Sequence, residues 1–278
     1  MRIDSNIYPV SEWRNMKTIV TKISDAIYDL GESSDAEKGI KKPTVNAYLL
    51  IGKNGALLID TLMQNNDLYE RVRSLTDLPV TVLITHGHID HVGVSTSSFA
   101  KHGCPIYMDL QDYPLIENRV PNLNRDFFTQ LHDGSLFNIG GFELEAVACP
   151  GHTPGSFLFL DRMHQLIFSG DTLGSGCIWM QLDCSIPLTA YRENVASVMK
   201  RTMELKNLRI YPGHRYQSPV QLTSRYIKDI YLSVDSIIQG NNVGHEETIP
   251  WMGTTMTFMV ANPVGQMLSF CYDKTKIS

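Results

Sequence analysis

Four side chains of the kinds that bind metal ions lie within six consecutive residues, at positions 86–91. With the residue before them they read Thr-His-Gly-His-Ile-Asp-His, three imidazoles and one carboxylate. The apolar run at residues 80–84 predicts a buried strand that ends at this segment. The backbone turns where a strand ends, so alternate side chains can converge on one point, whereas a helix would direct His86 away from His88 and His91. Because zinc and similar metals bind imidazole nitrogen and carboxylate oxygen, the segment predicts a metal site.

Three further segments place a histidine or an aspartate directly after an apolar, strand-like stretch. His152 lies in a turn rich in proline and glycine, at residues 149–156. Asp171 follows Ser169-Gly170, and His214 ends a second Pro-Gly-His sequence. Each alone is a weak signal, because a histidine after glycine is more often structural. Together, and in this order, they predict further ligands of the same site.

Strand-like and helix-like stretches alternate from Thr18 onward and would position these ligands. Two apolar runs, 46–51 and 56–60, flank an Asn-Gly turn and predict a hairpin. Further strands are predicted at residues 19–23, 26–28, 80–84, 142–148, 156–160 and 165–169. Helices are predicted at residues 65–74, 95–101, 190–206 and 219–239, the last with Ser218 as N-cap and Pro219 at its first position. Strands followed by helices, twice over, predict a layered α/β sandwich of two similar halves.

Three segments lie outside this alternation. Residues 31–42 are polar and predict a surface loop, and residues 109–133, interrupted by two prolines, predict an insertion over one face. Residues 251–272 hold two apolar runs around Asn262-Pro263-Val264-Gly265 and predict a hairpin. That hairpin either extends the second sheet, forms a homodimer contact or builds one wall of the active-site mouth. We treat residues 1–278 as one domain, with a core at about 18–240 and a C-terminal hairpin extension at 241–278.

Length and composition limit the class of protein. The chain has 278 residues, of which 43% are hydrophobic and 19% charged, and its formal net charge is −5. These values predict a globular protein and argue against a nucleic-acid partner held by counterion release. Five scattered cysteines without a C-x-x-C pair predict reduced thiols, and residues 1–6 hold no apolar signal region. No uncharged apolar stretch reaches about 18 residues, so we expect a cytoplasmic protein without membrane association.

The ordered set of motifs resembles the metallo-β-lactamase superfamily of binuclear metallohydrolases, from about Thr18 to about Gln239. The motifs are T-H-G-H-I-D-H, P-G-H-T-P-G-S, G-D-T and P-G-H, and residues 46–61 are similar to that family's opening hairpin. The resemblance implies a four-layer αββα sandwich with two metals between the sheet edges. Position by position, it implies a first metal held by His86, His88 and His152, a second held by Asp90, His91 and His214, and Asp171 bridging both.

This ligand set implies hydrolytic chemistry. Two metals about 3.5–4 Å apart turn a bridging water into a hydroxide nucleophile and polarise the attacked oxygen, so no serine or cysteine nucleophile is required. Asp90 and Asp171 are therefore expected as catalytic residues, with Asp90 orienting the hydroxide through its second oxygen. Two zinc ions are expected because the set contains no thiolate, and iron or manganese are alternatives. The expected reaction is cleavage of an ester, thioester, lactone or related acyl bond in a small substrate.

Some polar residues near the motifs have two interpretations. Asp60 resembles the family's carboxylate that supports a ligand, or it caps the turn at the end of its strand. Thr85 and Thr153 either support ligands through hydrogen bonds or serve only their turns. Cys149 and Cys177 are interpreted as buried thiols outside the ligand set. The other histidines lack neighbouring ligand residues and are assigned to the surface or the core: His102, His132, His164 and His245.

Departures from the family's patterns argue against several of its known activities. Ile89 stands where the flavin-linked diiron members carry a carboxylate. The spacings between the last three motifs are too short for the insert domain of the RNA-processing nucleases. Leu173 and Gly174 follow the bridging Asp171, where lactone hydrolases carry a tyrosine, and the glutathione-binding region of glyoxalase II-type hydrolases is not recognisable. Residues 174–180 predict a glycine-rich, then apolar loop, which either lines a substrate pocket or packs.

Two alternatives stay open. A mononuclear-iron dioxygenase acting on persulfides would reuse His86, His88 and His152 and leave the second metal position empty. A non-catalytic metal-binding interaction protein would have no need of every ligand, and all seven positions carry ligand residues here.

Overall fold

The computed structural model of the protein describes residues 17–33, 45–63, 67–251 and 254–278. Within these ranges the chain forms three β-sheets and five α-helices. None of the helices in the described ranges is both long and apolar enough to cross a membrane.

The first sheet contains seven strands that lie side by side in chain order. They are β1 (Lys17–Ser24), β2 (Ile27–Ser33), β3 (Val45–Ile51), β4 (Ala56–Ile59), β5 (Val80–Leu83), β6 (Ile106–Met108) and β7 (Phe128–Gln130). The strands from β1 to β4 pair antiparallel, and those from β4 to β7 pair parallel. The carboxyl ends of the parallel strands therefore meet at one edge, where open sheets of this kind bind their ligands.

The second sheet has the strand order β14-β13-β11-β10-β9-β8. Its strands are β8 (Leu136–Asn138), β9 (Glu143–Ala148), β10 (Phe157–Asp161), β11 (Leu166–Gly170), β13 (Arg209–Pro212) and β14 (Leu222–Thr223). A third, four-stranded sheet has the order β12-β17-β16-β15. Its strands are β12 (Cys177–Met180), β15 (His245–Trp251), β16 (Thr254–Ala261) and β17 (Ser269–Tyr272).

The period-two alternation of side chains divides the core into layers. Leu50 and Leu57 of the first sheet pack against Phe159 and Phe168 of the second. Their neighbours Leu49 and Leu58 face the other way, onto the helices α1 (Leu68–Leu75), α2 (Thr96–Lys101) and α3 (Tyr113–Ile116). The outer face of the second sheet packs against α4 (Leu188–Thr202), α5 (Ser224–Ile238) and the third sheet. The predicted αββα sandwich is thereby confirmed, since both central sheets are buried on both faces.

The start of the last helix was predicted wrongly. The helix begins at Ser224 and not near Pro219, so Ser218 is not its N-cap. Residues Leu222–Thr223 instead form β14, which pairs with β13 at the edge of the second sheet. Leu222 is fully buried there. Its burial against the sheet outweighs the local helix-start signal of the proline.

The irregular segments also differ from the sequence predictions. The loop predicted at residues 174–180 contains the strand β12. The predicted C-terminal hairpin is formed by β16 and β17, and β17 pairs with β12. The hairpin therefore belongs to the third sheet, and the interpretation that it extends the second sheet is wrong. The insertion predicted at residues 109–133 carries α3, two short 3-10 turns and β7, which pairs with β6. The elements within 109–133 have three or four residues each and are interrupted by prolines, so they show no period in the sequence.

One predicted hairpin and three predicted helices are present, and one of these helices ends earlier than predicted. The hairpin of β3 and β4 and the helix α2 are confirmed. The helix predicted at 190–206 ends at Thr202. The helix predicted at 65–74 appears as α1, and the start of its predicted range lies outside the described residues, as does most of the loop predicted at 31–42.

Candidate metal centre

The seven predicted ligands come together where strands of both central sheets end. Residues 86–91 follow β5, His152 follows β9, Asp171 follows β11 and His214 follows β13. Three overlapping groups have ligand atoms within 4.8 Å of one another: His86, His88 and His152; His86, His91 and Asp171; and Asp90, His91 and His214. Both sheets thus contribute to one cluster, as the sequence predicts.

The first group is a triangle of three imidazoles. His88 Nδ1 lies 3.1 Å from His86 Nε2 and 2.9 Å from His152 Nε2. Three ring nitrogens therefore face a common point, an arrangement that suits three of the four ligand positions of a tetrahedral zinc ion.

Hydrogen bonds fix which ring nitrogen faces that point. His152 Nδ1 donates to the backbone carbonyl of Trp179 over 2.7 Å, and a carbonyl oxygen only accepts, so the Nε2 of His152 carries the lone pair. His86 Nδ1 lies 3.1 Å from the hydroxyl of Thr85, which itself donates to Asp60. The Thr85 hydroxyl is therefore left to accept from His86, and Nε2 of His86 is again the free ligand atom.

The second group combines two imidazoles with Asp90. Asp90 Oδ2 lies 3.4 Å from His214 Nε2 and 3.8 Å from His91 Nε2. His91 Nδ1 donates to Asp60 Oδ2 over 2.7 Å, which leaves its Nε2 as the ligand atom. Asp60 therefore supports a ligand of the second group directly and, through Thr85, one of the first.

Asp171 lies between the two groups. Its Oδ1 is 3.6 Å from His91 Nε2, and its Oδ2 is 3.1 Å from His214 Nε2 and 3.8 Å from His152 Nε2. One carboxylate thus faces ligand atoms of both groups, which is the position that a bridging ligand requires.

Positive charge on the imidazole rings balances the carboxylates of the cluster. Burial, together with the neighbouring imidazoles, lowers the pKa of His86 and lowers that of His88 to about 3, so both rings are neutral. Burial would also lower the pKa of His91, but the carboxylates of Asp171, Asp60 and Asp90 outweigh it and raise that pKa to about 10. Conversely, burial disfavours the charged form of Asp90, yet its two histidine neighbours lower the pKa of its carboxyl. The ring protons thus supply positive charge that a bound metal would supply instead.

The donor set fits divalent metal ions. Within the described part of the chain, His91 Nε2 and Asp171 Oδ1 are buried and make no hydrogen bond. Buried polar atoms rarely lack a partner unless an ion or water satisfies them. A cation between these two atoms would do so, and imidazole with carboxylate is a usual combination for zinc or iron.

Sequence reasoning missed Asp112, a fully buried carboxylate in the irregular segment after β6. Its Oδ2 accepts hydrogen bonds from Gly87 N, 2.8 Å away, and from the Thr153 hydroxyl, 2.6 Å away. Its Oδ1 accepts from Gly155 N over 2.7 Å. Asp112 therefore ties the loop of His86 and His88 to the loop of His152, and Thr153 is part of that link. A single aspartate in an irregular stretch gave no signal in the sequence.

The residues predicted to lie outside the ligand set make other contacts. Cys149 is fully buried as predicted, and burial raises the pKa of its thiol to about 12, whereas Cys177, in β12, is only partly buried. His102 bonds the carbonyl of Ser98, and His164 and His245 bond Asp161 and Glu247. His132 accepts, through its carbonyl, a turn hydrogen bond from Ser135. These histidines therefore do not join the cluster.

The third sheet also reaches the cluster. Trp179, whose carbonyl holds His152, lies in β12, and its ring lies 5.5 Å from the ring of Trp251 at the end of β15. The C-terminal hairpin region therefore lies beside the strand that holds a ligand. The interpretation of the hairpin as a wall of the active-site mouth stays a prediction.

Comparisons with known proteins agree with this geometry. A family model described as the metallo-beta-lactamase superfamily matches residues 41–214. The chain is 26% identical over 187 residues to the probable polyketide biosynthesis zinc-dependent hydrolase BaeB of Bacillus velezensis, a match that covers 66% of this chain and 78% of that protein. It is 29% identical over 177 residues to the hydroxyacylglutathione hydrolase GloC of Haemophilus influenzae, covering 58% of this chain and 81% of the relative. Among solved structures, TTHA1623 in a di-iron-bound form is similar with a TM-score of 0.52 and 26% identity, covering 66% of this chain and 91% of that one.

Proposed function

The chain belongs to the metallo-beta-lactamase superfamily, and from that premise we propose a binuclear, zinc-dependent hydrolase that cleaves an ester, thioester, lactone or related acyl bond of a small substrate. The observation that carries the proposal is the second ligand group. Asp90, His91 and His214 lie beside the three-histidine group and share Asp171 with it. A mononuclear enzyme would leave this second group without a metal, so the group supports a binuclear centre.

Each ligand residue has an assigned task. His86, His88 and His152 would hold the first metal, Asp90, His91 and His214 the second, and Asp171 both. When bound, two such ions acidify a water molecule and polarise the oxygen under attack. Asp90 directs Oδ2 at the histidines, and we assign its other oxygen to accept a hydrogen bond from the attacking water. Asp60 and Thr85 keep the ring protons of His91 and His86 on Nδ1, away from the ligand atoms.

Zinc is the proposed metal, with iron and manganese as alternatives. One relative is named as zinc-dependent and one similar structure holds two irons, so both metals occur among similar proteins. A hydroxyacylglutathione hydrolase is among the relatives, which supports a small acyl substrate. All five cysteines are free of disulfides, which supports a location in the cytoplasm. The net charge of −5 offers no general attraction to the phosphates of a nucleic acid.

A substrate panel tests the proposal. The zinc-loaded protein, with its metal content quantified, is assayed on thioesters, lactones, phosphodiesters and β-lactams, and a chelated sample of the same preparation is the control. We expect hydrolysis of at least one acyl substrate that disappears on chelation and returns with zinc. Cleavage confined to phosphodiesters, or turnover that consumes oxygen and needs ferrous iron, would overturn it.

A further inference from the structure

The C-terminal residues lie outside the segment that matches the family model, residues 41–214, yet they contact the strand and the loop that support ligands of the candidate metal centre. β17 pairs in parallel with β12, placing Cys271 opposite Trp179. The carbonyl of Trp179 accepts the Nδ1 proton of His152. The pairing with β17 in the third sheet therefore fixes β12, the strand whose carbonyl group accepts the hydrogen bond of His152.

The loop after β12 covers the same three-histidine group. Cys184 Sγ lies 3.5 Å from Nε2 of His88, the ring nitrogen that faces away from the cluster. The hydroxyl of Ser185 donates to the backbone carbonyl of His152 over 3.0 Å. This loop, residues 182–185, therefore contacts two ligands of the first group from outside.

Lys276 holds this loop in place. Its ammonium lies 2.9 Å from the carbonyl oxygen of Leu182, 2.7 Å from that of Asp183 and 3.2 Å from that of Ser185. An ammonium has three protons to donate, so these three carbonyls match its full capacity. Lys276 ends the 3-10 turn Lys274–Lys276, and the next residue, Ile277, accepts a hydrogen bond from Thr189 N in α4. Lys276 and Ile277 thus contact both the loop at residues 182–185 and the helix α4 that follows it.

We propose that Lys276 is a positioning residue for the three-histidine metal site. By fixing residues 182–185, it keeps Cys184 against the ring of His88 and Ser185 against the backbone of His152, so both ligands are held in place before a metal arrives. Contacts behind a ligand of this kind change metal affinity by about ten- to a hundredfold. The inference rests on the proposed metal centre and adds to it a segment that the family match does not include.

The test compares Lys276→Met with Lys274→Met. Lys274 lies in the same 3-10 turn but pairs with Glu246 at the surface, over 2.8 Å, so its substitution controls for the loss of one charge. Zinc affinities are measured for the full chain by competition with a chromophoric chelator, and the visible spectrum is recorded after cobalt substitution. We expect Lys276→Met to weaken one of the two zinc affinities by about tenfold and to alter the cobalt spectrum. Lys274→Met should leave both readouts as in the wild type.

A second variant, Ser185→Ala, tests the contact between the loop and His152. Ser185→Ala removes the hydrogen bond to the His152 carbonyl and should weaken the same zinc affinity, even if Lys276→Met folds poorly. Wild-type affinities and an unchanged cobalt spectrum in both variants would overturn the role of Lys276 while leaving the proposed hydrolase intact. A wild-type chain that binds no zinc would instead overturn the proposed function.

Discussion

Asp60 shows how one residue can set the chemistry of several others. Its backbone has a φ of +62°, a left-handed conformation that few residues other than glycine adopt. The carboxylate accepts three hydrogen bonds, from Thr85 N, the Thr85 hydroxyl and His91 Nδ1. The sequence left open whether Asp60 supports a ligand or caps its turn, and the hydrogen bonds to His91 and Thr85 favour the first interpretation.

We expect Asp60→Asn to release the second metal. An amide cannot accept three hydrogen bonds at these positions, and turning its NH2 group towards His91 would move the ring proton of His91 to Nε2, the ligand atom. Zinc affinity of one site should fall by about ten- to a hundredfold, as measured by chelator competition. Asp161→Asn is the matched control, because Asp161 is an equally buried partner of His164 remote from the cluster. Equal affinities in the two variants would contradict the assigned role of Asp60.

At the scale of elements, the sequence predicts the strands and the loops that carry ligands. Apolar runs such as 80–84 are long enough to show as buried strands, and the ligand residues follow them directly. The elements of three or four residues within 109–133 could not be predicted, because they are short and interrupted by prolines. The strand β12 was missed because Gly174 and Gly176 directly before it are typical of a loop. The same limit hid Asp112, whose role depends on a tertiary contact between two loops.

Asp112→Asn tests whether that contact positions the first group. The asparagine leaves one donor among Gly87 N, Gly155 N and the Thr153 hydroxyl without an acceptor, at a cost of about 1–3 kcal/mol in the free energy of unfolding. We expect the zinc affinity of the three-histidine site to fall by about tenfold, by chelator competition. Asp109→Asn alters a nearby carboxylate that accepts hydrogen bonds from Gln111 and Gln130, neither of which is a ligand, and should leave metal binding unchanged. An Asp112→Asn protein that is destabilised but binds zinc normally would limit Asp112 to a structural role.

At the scale of the whole molecule, the charges of the cluster make the metal-free protein sensitive to pH. In the folded chain the nearby carboxylates raise the pKa of His91 to about 10 and that of His214 well above its ordinary value. A raised pKa contributes stability that is fully present below the ordinary value of about 6.5 and is lost as the pH rises through the folded value. The free energy of unfolding of the chelated protein should therefore fall between pH 7 and pH 9.5, by at least about 1 kcal/mol. Denaturant titration measures it, and the zinc-loaded protein, whose rings are held neutral by metal, should show a smaller fall.

A chelated protein that is equally stable across that range, or more stable at pH 9.5, would contradict this assignment of charge. In that case the ring protons of His91 and His214 would not be the groups that balance the carboxylates.

The division of the ligands into two groups predicts two metals per chain. Elemental analysis of protein expressed with added zinc should give close to two equivalents, and Asp90→Ala should reduce this to about one. One equivalent in the wild type, unchanged by Asp90→Ala, would contradict a second metal site.

The most direct test of the account is the turnover of an acyl substrate by zinc-loaded wild type and His214→Ala, with dissolved oxygen recorded in the same assay. His245→Ala, which removes an exposed histidine paired with Glu247, is the control, and circular dichroism checks that each variant is folded. Since the proposed mechanism uses the second metal, His214→Ala should lower turnover by at least about a hundredfold, equivalent to about 2.7 kcal/mol, without oxygen uptake in any sample. Turnover that consumes oxygen, requires ferrous iron and survives the loss of His214 would contradict the hydrolase and support a mononuclear dioxygenase.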